Sequence, residues 1–170
     1  MKNRILPICV VPFLLASATA LAQTAPNPLA AAGWFASLAG ACWRGEHPTG
    51  KSSDTQCYET QYGRYIRGTI KVQDDKGTLL TEGDSVFAPD PKLGRIVYSQ
   101  WASNGSYGTG EMKIDGALLR FQHRQPEGAE SRIRFTWSRL DADSFRVSRE
   151  RRLDDGAWKE EFGVVYRRVP

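Results

Sequence analysis

The stretch CWRGEHPTGKSSDTQC, residues 42–57, decides how the rest of the chain is read. Its centre, Gly45 to Ser52, matches G-x-x-x-x-G-K-[ST], the phosphate-binding loop of nucleotide hydrolases, without a mismatch. That loop works only where a buried strand enters it and a helix leaves it, so that the helix N-terminus and backbone amides face the phosphates. The flanks here are of the wrong kind. The residues after Ser52, SDTQCYETQYGRYIRG, are rich in strand formers and have no helical face. Those before Gly45, LAGACWR, are not a run of Val, Ile and Leu. Nucleotide is therefore excluded as a partner.

A hairpin uses the same residues better. With Cys42 opposite Cys57, Trp43 falls opposite Gln56, Arg44 opposite Thr55 and Gly45 opposite Asp54. Pro48 and Gly50 then lie in the polar loop, Glu46 to Ser53, where a reversing chain needs them. Cys42 and Cys57 read as a disulfide at the base of this hairpin, because an even pair in an oxidising compartment is first of all a bridge. Closing a loop of this length stabilises a fold by about 3 kcal/mol in the chain-entropy model. A redox pair or half of a zinc site fits less well, since redox cysteines stand two apart and no further zinc ligands accompany them.

The oxidising compartment is itself inferred from the N-terminus. Lys2 and Arg4 precede an apolar run from Ile5 to Leu15, and Ala20-Leu21-Ala22 forms an A-x-A cleavage site before Gln23. The expected export signal is residues 1–22, and its third cysteine, Cys9, leaves with it. Two prolines interrupt the run, which is shorter than the ~20 residues of a membrane span. LAGAC, Leu38 to Cys42, has the wrong spacing for a lipid-anchoring cysteine. A periplasmic or secreted protein with no stable membrane anchor is expected.

Without Lys2 and Arg4 the chain carries 21 basic against 19 acidic residues, too even a balance to argue for nucleic acid. Residues 23–34 read as a flexible tail and the start of a short helix, LAAAGWFASLAG, which Gly40 ends. Residues 35–170 read as a single β-barrel domain.

Strands dominate that domain. Turn residues cut the chain at DDKG 74–77, PDPKLG 89–94, SNGS 103–106, DG 115–116, PEGAE 126–130, DAD 141–143 and DDG 154–156. Between the cuts apolar and polar residues alternate. Ile133, Phe135 and Trp137 share one face, Phe162, Val164 and Tyr166 another, and Ile66, Ile70 and Val72 a third. About nine arms result, and an antiparallel sheet of that size curls to hide its edges. The expected fold is all-β: an up-and-down antiparallel β-barrel of about 8–10 strands with a short N-terminal helix. A two-sheet sandwich is the alternative.

Chemistry is sparse. The chain has two histidines. His47 precedes Pro48 in the hairpin loop and is expected to be exposed; His123 shares parity with Leu119 and Phe121 and is expected inside. There is no G-x-S-x-G, no H-E-x-x-H, no calcium loop and no clustered metal-ligand set, so no catalytic, metal or cofactor residue is assigned. The pairs Asp74-Asp75 and Asp154-Asp155 belong to turns, and Glu82 with Asp84 is a conceivable glycosidase-like pair. The aromatics Tyr98, Trp101, Tyr107, Phe121, Phe135 and Trp137, with His123, are the candidate lining of a ligand cavity. Gln100, Glu111, His123 and Arg149 form a candidate interior polar set.

Leu38, Gly40, Trp43 and Gly45 resemble the Leu-x-Gly-x-Trp-x-Gly first strand of calycin-like, or lipocalin-like, small barrels found among exported bacterial proteins, with one extra residue, Cys42, before the tryptophan. The resemblance spans about residues 35–168. It implies that Trp43 packs on the barrel floor and that an apolar ligand occupies the interior. The related haem-binding nitrobindin-like barrels hold iron on a histidine near the C-terminus; GVVYRRVP has none, so haem is not implied. The expected function is binding of a small apolar or amphipathic ligand without catalysis. A hydratase- or isomerase-type enzyme using His123 and a filled-core envelope interaction protein are the alternatives.

Overall fold

A computed structural model describes residues 28–170, apart from 91, 93 and 125–129 and the side chains of 28, 122–124 and 130. The expected signal, residues 1–22, the tail to residue 27 and most of the 126–130 turn lie outside the described residues.

Ten strands follow one short helix: β1 Ala41–Glu46, β2 Ser52–Gln61, β3 Tyr65–Asp74, β4 Leu79–Asp90, β5 Arg95–Ala102, β6 Tyr107–Asp115, β7 Leu118–Arg124, β8 Glu130–Arg139, β9 Ser144–Arg152 and β10 Trp158–Arg168. Each pairs antiparallel with the next, and β1 pairs with β10 to close the barrel. The up-and-down barrel read from the sequence is the observed architecture, and the sandwich alternative falls. Closure follows from the alternation. A sheet dry on one face and wet on the other hides that face by wrapping around it, and closing leaves no edge unpaired.

The first hairpin has the register set by its cysteines. Cys42 faces Cys57, Trp43 faces Gln56, Arg44 faces Thr55 and Gly45 faces Asp54, and a disulfide joins Cys42 to Cys57. The match to the nucleotide loop is a tight turn, in which His47 N–H donates to Ser52 O and Gly50 N–H to His47 O.

The strand count is ten rather than nine, and one unread turn explains the difference. Gln61 to Arg64 reverses β2 into β3 through Tyr62 and Gly63, at φ 55° and 63°, with Arg64 N–H donating to Gln61 O. Two-residue hairpin turns with both φ positive favour Asn or Asp before Gly. A tyrosine at the first position looks like strand and hides the turn.

The helix, Pro28–Leu38, is of the tight 3-10 type and is kinked at Gly33 (φ 55°, ψ −138°). It plugs one end of the barrel. Leu29, Ala32, Phe35 and Leu38 are buried, and Trp34 Nε1 donates to Ala117 O in the β6–β7 turn. Trp43 is buried beside it, donating from Nε1 to Leu38 O, one of the carbonyls left over where the helix ends. The outward face carries cross-strand ion pairs, among them Arg134–Glu150 and Arg146–Glu160. Among the described residues no helix is long and apolar enough to cross a membrane.

Candidate functional site

The end opposite the helix is open, and the interior beneath it is not filled. Glycines hold inward positions at Gly68 on β3, Gly83 on β4, and Gly108 and Gly110 on β6, in step with buried Ile66, Phe87 and Met112. Gly68 lets Tyr58 and Ser85 pack close against its backbone, and a cavity of about 280 Å³ remains above. Its floor is formed by Phe87, Tyr58, Trp137 and Phe121, which Phe35 from the helix meets edge-on from beneath at 4.8, 5.6, 5.9 and 6.2 Å. Rings held edge to face favour one another beyond the area they bury, so this floor is stiff.

The cavity has two unlike walls. One is apolar and aromatic, formed by Phe87, Tyr98, Phe121, Phe135 and Trp137. The other, where β1, β2 and β10 meet, is polar. Asp54 is only 5% exposed, and its Oδ2 accepts from the Tyr166 hydroxyl at 2.7 Å. Its Oδ1 accepts from Gln56 Nε2 at 3.3 Å, and Gln56 Oε1 in turn accepts from the Tyr58 hydroxyl at 2.5 Å. His47 Nε2 lies 3.4 Å from Asp54 Oδ2. Burial lifts the Asp54 carboxyl above its ordinary range, outweighing the lowering by Tyr166, Gln56 and His47. Burial likewise pushes the Tyr58, Tyr98 and Tyr166 hydroxyls up, so all three remain protonated donors.

Of the residues chosen from the sequence, Tyr98, Phe121, Phe135 and Trp137 stand together on this cavity. Trp101 is a correction: it is 46% exposed and stands opposite Tyr107, on the outer face of β5, and only borders the mouth. Tyr107 is a correction: it is 69% exposed and is not on the lining, because it shares parity with Glu111 and Lys113 while Gly110 and Met112 point inward. His123 stands in β7 opposite Gly110, and its side chain lies outside the described residues. The candidate polar set also divides. Gln100 reaches the mouth, Glu111 pairs with Arg95 at 2.8 Å, and Arg149 pairs with Glu161. Asp84 is held by Arg67 at 2.7 Å, which removes the suggested carboxylate pair with Glu82.

The polar wall itself was missed. His47 is not a free loop residue; its side chain is 29% exposed, and its ring lies 6.0 Å from that of Phe162. The signal for Asp54 and Gln56 was present in the hairpin register. Trp43 faces Gln56 and Gly45 faces Asp54, so a buried Trp43 puts both polar residues on the inner face. Nothing in SSDTQC, read alone, marks them as buried. Among the described residues no group of three or more His, Cys, Asp or Glu could hold a metal ion.

No family model matches the chain, and no curated protein matches it. Solved structures do. The fold is similar to that of Rv2717c from M. tuberculosis, with a TM-score of 0.54 at 14% identity, covering 86% of this chain and 99% of that one. A de novo designed fluorescence-activating β-barrel aligns with a TM-score of 0.33 at 17% identity, over 76% of this chain and 90% of that one. At such identity the likeness to Rv2717c is one of fold.

Proposed function

We propose that this protein is an exported, calycin-like barrel that binds one small apolar or amphipathic molecule at its open end and performs no chemistry on it. The observation that carries the reading is the cavity of about 280 Å³, floored and walled by aromatic rings and bounded on one side by a buried polar cluster. A barrel whose interior served stability alone gains by filling it, since unfilled volume forfeits packing contacts. Here the upper interior stays open, and a carboxylate is kept buried against its solvation cost. The disulfide and the N-terminal Ala20-Leu21-Ala22 sequence support export.

Native mass spectrometry of the protein recovered from a bacterial periplasm tests this. The expected species begins at Gln23, is lighter by two hydrogens than the dithiol, and carries a mass that leaves on denaturation or accepts the neutral dye N-phenyl-1-naphthylamine at one saturable site. A protein that carries nothing and takes up no dye overturns the binding reading. A species that retains residues 1–22 overturns export.

A further inference from the structure

The polar wall holds a buried carboxylate whose one neighbour able to carry positive charge, among the described residues, is His47 at the mouth. Asp54 is buried, and two of its partners, Tyr166 and Gln56, are neutral donors. The third, His47, stands at the mouth at 3.4 Å. A carboxylate offers about four acceptor directions and this one has three filled, one of them by the long Gln56 contact. Among the described residues no lysine or arginine lines the cavity. Arg67, on the outer face of β3, is committed to Asp84, and Arg149 to Glu161. The surrounding surface is aromatic, with Tyr58, Tyr166 and Phe162 on the lining.

Building on the cavity as a binding site, we propose that its ligand carries a protonated amine that docks on Asp54, so that the barrel selects aromatic or apolar amines over fatty or aromatic acids. An ammonium offers three donors and a full positive charge, and Asp54 attracts it. A carboxylate ligand would bring a second negative charge beside Asp54 in a poorly solvated space, where like charges repel strongly. Burial already disfavours the charged form of Asp54 in spite of its hydrogen bonds, which is the electrostatic demand that a cation satisfies.

Three probes with one carbon skeleton separate the possibilities: 4-phenylbutylamine, 4-phenylbutanol and 4-phenylbutyrate, titrated calorimetrically into the purified protein at neutral pH. The amine should bind at least about tenfold more tightly than the acid, with the alcohol between them. In Asp54→Asn the amine should fall to the level of the alcohol while the alcohol is little changed. Acid binding as tight as amine binding, or an amine preference that survives Asp54→Asn, overturns the proposal. If the alcohol binds and the amine gains nothing over it, the cavity stands and the amine inference fails. If none of the three binds, the cavity reading fails first and takes the amine inference with it. The wild-type series decides even if Asp54→Asn does not fold.

Discussion

The Tyr166 hydroxyl on β10 donates to the Asp54 carboxylate on β2 at 2.7 Å, across a sequence separation of 112 residues. The bond spans β1, the short strand at the seam where the first and last strands meet. β1 and β10 share only three registered pairs, Trp43 with Arg168, Arg44 with Arg167 and Gly45 with Tyr166. Side chains beneath the seam therefore support the closure that the backbone ladder makes there.

Gly45 is where that support is tightest. A Cβ built on it would lie 2.6 Å from Val164 Cγ1 and 2.9 Å from Tyr166 Cε1. Gly45→Ala should therefore displace the Tyr166 ring from Asp54 and destabilise the fold by about 1–3 kcal/mol, as overpacking of a close-packed interior does. Urea unfolding against wild type measures it; an unchanged midpoint contradicts the account of the seam.

Asp54 sets a pH dependence of a particular sign. Its folded value is raised, so the folded state holds the proton more tightly than the unfolded chain. Its contribution is therefore greatest at acid pH and is lost as pH rises from about 4, the unfolded value, through the raised folded value. The charged and titratable groups around it are His47, Tyr58 and Tyr166. Thermal unfolding followed between acid and neutral pH should show this downward trend in wild type, and Asp54→Asn should remove that component. Equal slopes for the two proteins would show that Asp54 is not buried in its charged form.

Phe35 underlies the floor, fully buried and held by four aromatic rings. Phe35→Ala should cost about 3–5 kcal/mol, the transfer term plus the space left behind. It should also deepen the cavity toward the helix. The checkable signature is a drop in the unfolding midpoint together with tighter binding of apolar probes longer than those that wild type prefers.

The Tyr62 turn offers the opposite outcome. Tyr62 is 83% exposed and sits at φ 55°, in the left-handed region that costs an ordinary L-residue roughly 1–2 kcal/mol and that asparagine visits more readily. Tyr62→Asn should raise stability by up to about 1 kcal/mol without touching the cavity, so probe affinity should not move. A destabilised variant would mean that the tyrosine ring makes a contact outweighing the strain.

Removing the Cys42–Cys57 bridge, by reduction or by the double serine variant, should cost about 3 kcal/mol for a separation of 15 residues. The ten-stranded barrel itself should persist, because the β1–β2 ladder and the Tyr166–Asp54 bond remain. Far-ultraviolet circular dichroism with denaturant titration checks both parts.

Much of the fold was legible because its information is local. Alternation of period two, turn residues at regular intervals and one cysteine pair determine strands, faces and the first hairpin's register from neighbours in the chain. The single lapse, at Tyr62-Gly63, occurs where the residue type contradicts its own backbone conformation. The aromatic wall was legible for the same reason as the strands, since parity tells which side chains share a face. Trp101 and Tyr107 show the limit of reading aromatics by type, because their parity points them outward. The polar wall was not legible. Asp54, Gln56 and His47 come from one hairpin, but they become a buried cluster only when Tyr166, more than a hundred residues later, arrives on the far side of β1. Sequence by itself determined that the sheet would have a dry face and would curl. Only the closed barrel decided which polar side chains meet inside it, because burial and charge depend on what the opposite wall supplies.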